Sequence, residues 1–291
     1  ICPSWTYIAT AEAAALLGIK IVFCDVDIDT FNITAELVEP LINERTKAIV
    51  PVHLYGQSCE MNGLISLAKK YNLKIVEDNA QAIGCKYNYA NEELRYTGGM
   101  GDIGTTSFYP SKNLGCYGDG GALFTNDKSL AEKIKMIVNH GEKLKYHHEI
   151  IGCNSRLDSI QAEILNVKLN YLEEYNSNRK KMADNYNKAF NNIDEIQTPK
   201  VINNSDHVYH QYTLKVKDGS RNKLKTYLQN FGIPSMIYYP IPIHKQNPYR
   251  NNQLLVNTDI LSNQVISLPI HTELENSNQD IIIDKITKYF K

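Results

Sequence analysis

Lys74-Ile75-Val76-Glu77-Asp78 is a short apolar run that ends in two acids, and the chain on either side of it alternates in the same way. Before it, Ala48-Ile49-Val50-Pro51-Val52 reads as a buried strand despite its proline. Met61 to Tyr71 reads as a helix with Leu64, Leu67, Ala68 and Tyr71 on one face. Earlier still, Ile21-Val22-Phe23-Cys24 reads as a strand and Thr34 to Glu44 as a helix. Strands and helices of this size in alternation predict an α/β fold with a mostly parallel sheet covered on both faces. Ligands of such sheets collect at the carboxyl ends of the strands, which is where Asp78 falls.

From Asn154 the pattern changes. Ser155 followed by Asp158 resembles a capping box, and Leu157, Ile160, Ile164, Val167, Tyr171 and Tyr175 recur at helical spacing. The expectation is one long helix leading into a second α/β unit. That unit carries an alternating strand at Tyr212, Leu214 and Val216, and a helix from Ser220 to Phe231 with Leu224, Tyr227 and Leu228 inward. The break between the units is expected between residues 165 and 185.

Composition narrows the classes of function. The 291 residues are 43% apolar and 22% charged, with a formal net charge of −1, so no global field draws in nucleic acid or an anionic membrane. No apolar run reaches the roughly 18 residues of a membrane span. The six cysteines form no C-x-x-C pair and read as reduced thiols of a cytoplasmic protein. The chain begins Ile1-Cys2-Pro3, which reads as the middle of a protein. The pair His147-His148 lacks Cys, Asp or Glu ligands at supporting spacing, so no metal is expected.

Two segments carry candidate chemistry. In Ser107-Phe108-Tyr109-Pro110-Ser111-Lys112-Asn113-Leu114-Gly115-Cys116-Tyr117-Gly118-Asp119-Gly120-Gly121, a lysine sits between a proline and a glycine cluster, after a predicted strand. The glycines let backbone approach a bulky ligand, and a lysine buried against such a ligand loses its proton and becomes a nucleophile. The alternative is a solvated loop lysine beside ordinary turn glycines. In Val76-Glu77-Asp78-Asn79-Ala80-Gln81, Asp78 is either a helix N-cap or a carboxylate that keeps a cofactor's pyridine nitrogen protonated. A Schiff-base lysine with an acidic partner for the pyridinium is the pattern of enzymes that use pyridoxal 5′-phosphate (PLP). Gly115 to Gly121 does not spell G-x-G-x-x-G, and no G-K-[ST] phosphate loop occurs.

These segments, taken with Pro3 to Thr10, Val52 to Gln57, Asn139-His140-Gly141 and Gly152 to Asp158, resemble in order the DegT/DnrJ/StrS family of sugar aminotransferases. The resemblance implies PLP-dependent transferase fold type I, aspartate aminotransferase-like, with a mostly parallel large domain over residues 1–170 and a smaller α/β domain over residues 171–291. It implies that Lys112 forms the Schiff base with PLP and shuttles the proton, that Asp78 pairs with the pyridinium, and that Gln81 meets the phenolic-oxygen side of the ring. Tyr7 takes the place of the stacking aromatic, or alternatively is a core tyrosine. Ser107 is similar to a phosphate-binding serine. Asn154 resembles an asparagine that reaches the phosphate of a neighbouring subunit, which implies a homodimer with shared active sites; it equally suits the cap of the long helix. The family's Gly-Thr-containing phosphate loop lies upstream of Pro3, so the 291-residue chain alone is expected to bind PLP weakly.

Tyr238-Tyr239-Pro240-Ile241-Pro242-Ile243-His244 resembles a stretch of relatives that aminate the C3 keto position of a nucleotide-linked hexose, such as a 3-keto-6-deoxyhexose. This makes Tyr239 and His244 candidate substrate contacts; a rigid extended segment is the alternative. Arg156 is a candidate for gripping the carboxylate of the amino donor, or is structural. The implied reaction is ping-pong transamination: L-glutamate leaves the cofactor as pyridoxamine phosphate, which then aminates the keto sugar. Other readings are a PLP-dependent sugar dehydratase, against which Lys112 speaks because such relatives carry histidine there, and a non-catalytic scaffold of the same fold.

Overall fold

The computed structural model describes residues 1–89 and 93–291. Its elements run β1 (Cys2–Pro3), α1 (Ala9–Ala15), β2 (Phe23–Cys24), α2 (Ala35–Val38), β3 (Ala48–Ile49), α3 (Met61–Lys70), β4 (Lys74–Asp78), β5 (Lys86–Tyr89), β6 (Glu93–Tyr96), β7 (Ile103–Ser107), β8 (Gly121–Phe124) and α4 (Lys128–Ile137). They continue through β9 (Glu142–Leu144), β10 (His147–His148), α5 (Ser159–Leu169), α6 (Leu172–Phe190), β11 (Ile196–Gln197), β12 (Tyr212–Val216), α7 (Arg221–Asn230), α8 (Val256–Gln264), β13 (Val265–Leu268) and α9 (Asn276–Tyr289). No helix among the described residues is long and apolar enough to cross a membrane.

The central sheet has the order β3-β4-β7-β8, with β3, β4 and β7 parallel and β8 antiparallel to β7. β1 and β2 form a parallel pair beside it, tied in by the Val50 N–H on the Ile1 carbonyl at 2.8 Å. In the register of β4 and β7, Asp78 lies opposite Thr105, so Asp78 and Ser107 leave the sheet at the same edge. Gly104 in β7 has no room for a side chain: an added Cβ would stand 1.9 Å from the Gly98 carbonyl oxygen.

One apolar core gathers Trp5, Ile33, Ile49, Leu64 and Ile75 with Leu261 and Val265 from far along the chain. A second gathers Tyr186, Phe190, Tyr212, Leu224, Leu228 and Ile286. The three-stranded antiparallel sheet β11-β12-β13 supports it.

Several elements depart from the sequence reading for identifiable reasons. The helix expected over Thr34 to Glu44 ends at Val38 and tightens into a 3₁₀ turn at Glu39–Leu41, because Pro40 has no N–H to continue the ladder. Tyr71 caps α3 and turns outward, its hydroxyl donating to Glu39 Oε1 at 2.9 Å. The long helix breaks at Asn170 and Tyr171 into α5 and α6. Its first turn has no capping box: the Ser155 N–H goes to the Val138 carbonyl, and Asp158 is the N-cap residue. β12 is buried at all five residues because both of its faces are covered. Lys215 reaches from it to the Ile28 carbonyl at 2.7 Å and to Asp29 Oδ1 at 2.8 Å.

Candidate active site

Asp78 sits at the carboxyl end of β4, and its two oxygens are already oriented by the chain. Oδ2 accepts the Thr10 hydroxyl at 2.7 Å and Oδ1 accepts the Ala80 N–H at 3.1 Å. The lysine segment folds onto the neighbouring strand as a tight loop. The Phe108 N–H donates to the Gly120 carbonyl at 2.7 Å, and the Cys116 N–H returns to the Phe108 carbonyl at 2.8 Å. Gly115 packs so closely against Pro110 that a Cβ would lie 2.5 Å from its carbonyl oxygen, which is why glycine stands there.

Lys112 emerges from this loop into a cavity of about 530 Å³ shared with Arg179, His210, Tyr238 and Ser267. Burial pushes its amine below the ordinary lysine range, and the Asp78 charge, close enough to act on it, opposes that shift in part. An amine whose pKa is lowered by burial beside a fixed carboxylate is a better nucleophile and proton carrier than a solvated lysine.

Around Asp78 the structure assembles Tyr7, Gln81 and Tyr239. Gln81 Oε1 accepts the Tyr55 N–H at 2.6 Å, which leaves its Nε2 to donate to the Tyr239 hydroxyl at 3.2 Å. The Tyr7 ring is 61% exposed, with its centroid 6.3 Å from that of Tyr239. The Tyr55 hydroxyl donates to the Tyr238 carbonyl and holds this segment in place. Burial pushes the Tyr239 phenol up, so it stays protonated. Ser107, at the end of β7, accepts the Tyr109 N–H at 3.2 Å.

Three other predicted residues lie elsewhere. His244 is fully buried: its Nδ1 is 2.7 Å from Ser4 Oγ, which also accepts the His244 N–H at 3.1 Å. It braces the Ser4 to Tyr7 segment from behind. Asn154 and Arg156 form an exposed patch with Asn139. Arg156 Nε donates to Asn154 Oδ1 at 3.0 Å, and its Nη1 to Asn139 Oδ1 at 3.4 Å.

The sequence reading gave no role to Glu77, which alternates to the opposite side of β4 from Asp78. Fully buried, it accepts the N–H groups of Gly98 at 2.8 Å, Met100 at 2.7 Å and Gly101 at 2.5 Å. His53 completes the set. Its Nδ1 accepts the Cys59 N–H, so Nε2 carries the proton and donates to Glu77 at 2.8 Å. Burial alone would raise the Glu77 carboxyl; the bonds from His53, Gly101 and Gly98 outweigh it and hold the group below its usual range. Period-two alternation with an acid on the inner face was the available signal.

Comparison with known proteins places the chain in a family. The DegT/DnrJ/EryC1/StrS aminotransferase family profile matches residues 1–287. A pleiotropic regulatory protein of Geobacillus stearothermophilus is 41% identical over 298 residues, covering 100% of this chain and 78% of its own. The UDP-2-acetamido-2-deoxy-3-oxo-D-glucuronate aminotransferase of Pseudomonas aeruginosa is 41% identical over 288 residues, covering 99% and 78%. Among solved structures, DesV of S. venezuelae superposes with a TM-score of 0.94 at 37% identity, over 99% of this chain and 77% of its own. A strand-end carboxylate, a buried lysine and a match along nearly the whole sequence lead to one conclusion: the chain belongs to the DegT/DnrJ/EryC1/StrS aminotransferase family.

Proposed function

We propose that this protein moves an amino group from L-glutamate to the C3 keto carbon of a nucleotide-linked sugar, with PLP held at Lys112. The observation that carries this reading is the Lys112 amine, buried, depressed in pKa and within reach of the Asp78 charge. The 3-oxo sugar in the name of the Pseudomonas aeruginosa relative supports the choice of C3.

The residues present fit the cofactor. The donor set offers an amine for its aldehyde, an oriented carboxylate for its ring nitrogen, and the exposed Tyr7 ring as a stacking face. When bound, PLP supplies an electrophilic carbon and a ring that withdraws electrons from the carbon losing its proton. Lys112 takes that proton from the donor's α-carbon and returns one at the sugar carbon, a task that the downward shift of its pKa favours. Asp78 keeps the ring nitrogen protonated, with Thr10 fixing the carboxylate. Gln81 and Tyr239 bound the side of the site nearest Tyr7. Ser107 would help hold the phosphate, and Asn154 would reach the phosphate of a second copy in a homodimer. Residues 1–170 act as the cofactor-binding domain and residues 171–291 as the small domain, in a cytosolic setting.

One test decides between enzyme and scaffold, the latter favoured by the name of the Geobacillus stearothermophilus relative. The protein is incubated with PLP, L-glutamate and UDP- or dTDP-linked 3-keto and 4-keto sugars, and the new amine is located by NMR. Amination at C3 that is lost in Lys112→Ala is the expected result. Absence of amination on every sugar overturns the reading.

A further inference from the structure

The residue after the reacting lysine is buried and fully hydrogen-bonded. Asn113 Nδ2 donates to the Val208 carbonyl at 3.0 Å and to Asn176 Oδ1 at 2.8 Å. A backbone carbonyl can only accept, so Val208 fixes which end of the Asn113 amide is nitrogen. Asn176 is fixed likewise, because its own Nδ2 donates to the Ile83 carbonyl at 3.1 Å. Both Asn113 N–H groups are then taken, and its Oδ1 faces His210 Nδ1 at 3.3 Å. That ring nitrogen therefore carries the proton, and His210 is a neutral Nδ1–H tautomer.

His210 is itself locked. Arg179 Nη1 donates to the carbonyls of Tyr209 at 3.1 Å, His210 at 3.3 Å and Ile270 at 3.0 Å. Burial, with the charges of Lys112 and Arg179, holds the imidazole well below its ordinary pKa. The groups around the Lys112 amine are thus Asp78 from β4, neutral His210, and the Lys168, Arg179 and His271 side chains that line the same cavity.

The geometry points to Asn113, acting through its bond from His210, as the positioning residue that holds the Lys112 backbone so that the amine stays in its buried site. This rests on Lys112 being the reacting amine. Without the clamp, the loop between β7 and β8 loses its tie to α6 and to residues 208–210. The lysine side chain then swings toward water, and the desolvation that depresses its pKa is lost.

The test reads the amine directly. The full chain is acetylated by trace acetic anhydride across a pH series, and the Lys112 peptide is quantified by mass spectrometry, with melting temperature as the fold control. Wild type is expected to show a midpoint below that of an ordinary lysine. Asn113→Ala and His210→Leu are expected to move it upward, whereas His210→Asn, which keeps a donor near the Nδ1 position, retains the wild-type midpoint. In turnover, Asn113→Ala is expected to lose about 10- to 100-fold in kcat with the glutamate KM changed less than about twofold, as for a small misplacement of a catalytic group. Folded Asn113→Ala and His210→Leu proteins that label like wild type overturn the proposal. If Asn113→Ala does not fold, the His210 pair decides alone: equal midpoints overturn it and separated midpoints support it. A wild-type chain whose Lys112 labels as an ordinary lysine and forms no borohydride-reducible bond with PLP would instead sink the functional reading on which this rests.

Discussion

The loop from Ser107 to Gly121 and the segment from Asn139 to Asp158 are finished to different degrees. In the first, backbone closes on backbone, Asn113 is saturated, and Leu114 and Cys116 are buried. In the second, Tyr146 is 79% exposed and Ile151 98% exposed, and Ile160 on the adjoining α5 is 75% exposed. These apolar side chains are left in water by this chain alone. The lysine loop closes on itself within one chain. Asn154 lies on this exposed stretch, where the second copy proposed above would meet it.

The largest effect belongs to the finished half. Lys112→Ala is expected to lower transamination by about 10⁴-fold, the upper range for a positioned acid–base group, while leaving the melting temperature close to wild type. Turnover retained within tenfold would show that another group moves the proton. Glu77 offers the matching test of stability. Glu77→Ala strands three amide donors and His53, at a cost of about 3 kcal/mol read by urea denaturation. Because the folded carboxyl is depressed, its contribution is present above the unfolded value near about 4.3 and is lost as pH falls through the lower folded value. Wild type should therefore lose stability on acidification more steeply than Glu77→Gln. Parallel pH curves for the two proteins would remove Glu77 from this role.

The same contrast explains what the sequence disclosed. Glycine spacing and a strand-end acid, both local signals, marked Lys112 and Asp78 as candidates, and the resemblance along the chain supplied their roles. Asn113 and His210 were not, since their contact spans 97 residues and no periodicity announces it. Helical spacing found Ile160, Val167 and Tyr171, yet it cannot say whether an apolar face meets its own chain or another. It also missed the break at Asn170. The bond between His244 and Ser4 was hidden by separation along the chain, spanning 240 residues.

The unfinished face gives the next effect in size. Ile160→Asp leaves the monomer's fold untouched, because the side chain contributes nothing to its core. It is expected to weaken self-association by about 2 kcal/mol, placing a charge in an apolar contact. Sedimentation is expected to show dimers for wild type and monomers for Ile160→Asp at the same concentration, with PLP affinity falling in parallel. Dimers and affinity both unchanged would mean that α5 is not the dimer surface.

The smallest effect separates two roles for Arg156. Its Nε holds Asn154 Oδ1, and no bond from Asn154 Nδ2 occurs among the described residues, so the amide is oriented with its donors outward. An exposed charge-assisted bond of this kind contributes about 0.5–1 kcal/mol. Arg156→Ala is accordingly expected to weaken PLP affinity by about two- to fivefold through a less ordered Asn154, with the KM for glutamate unchanged. If the guanidinium instead grips the donor carboxylate, the same substitution raises the glutamate KM by tenfold or more and leaves PLP affinity intact, since a truncated charge-assisted contact costs about 1.5–3 kcal/mol. Only the first pattern is compatible with Arg156 acting across to a neighbouring subunit through Asn154, so a glutamate-specific defect would return that residue to the finished half of the site.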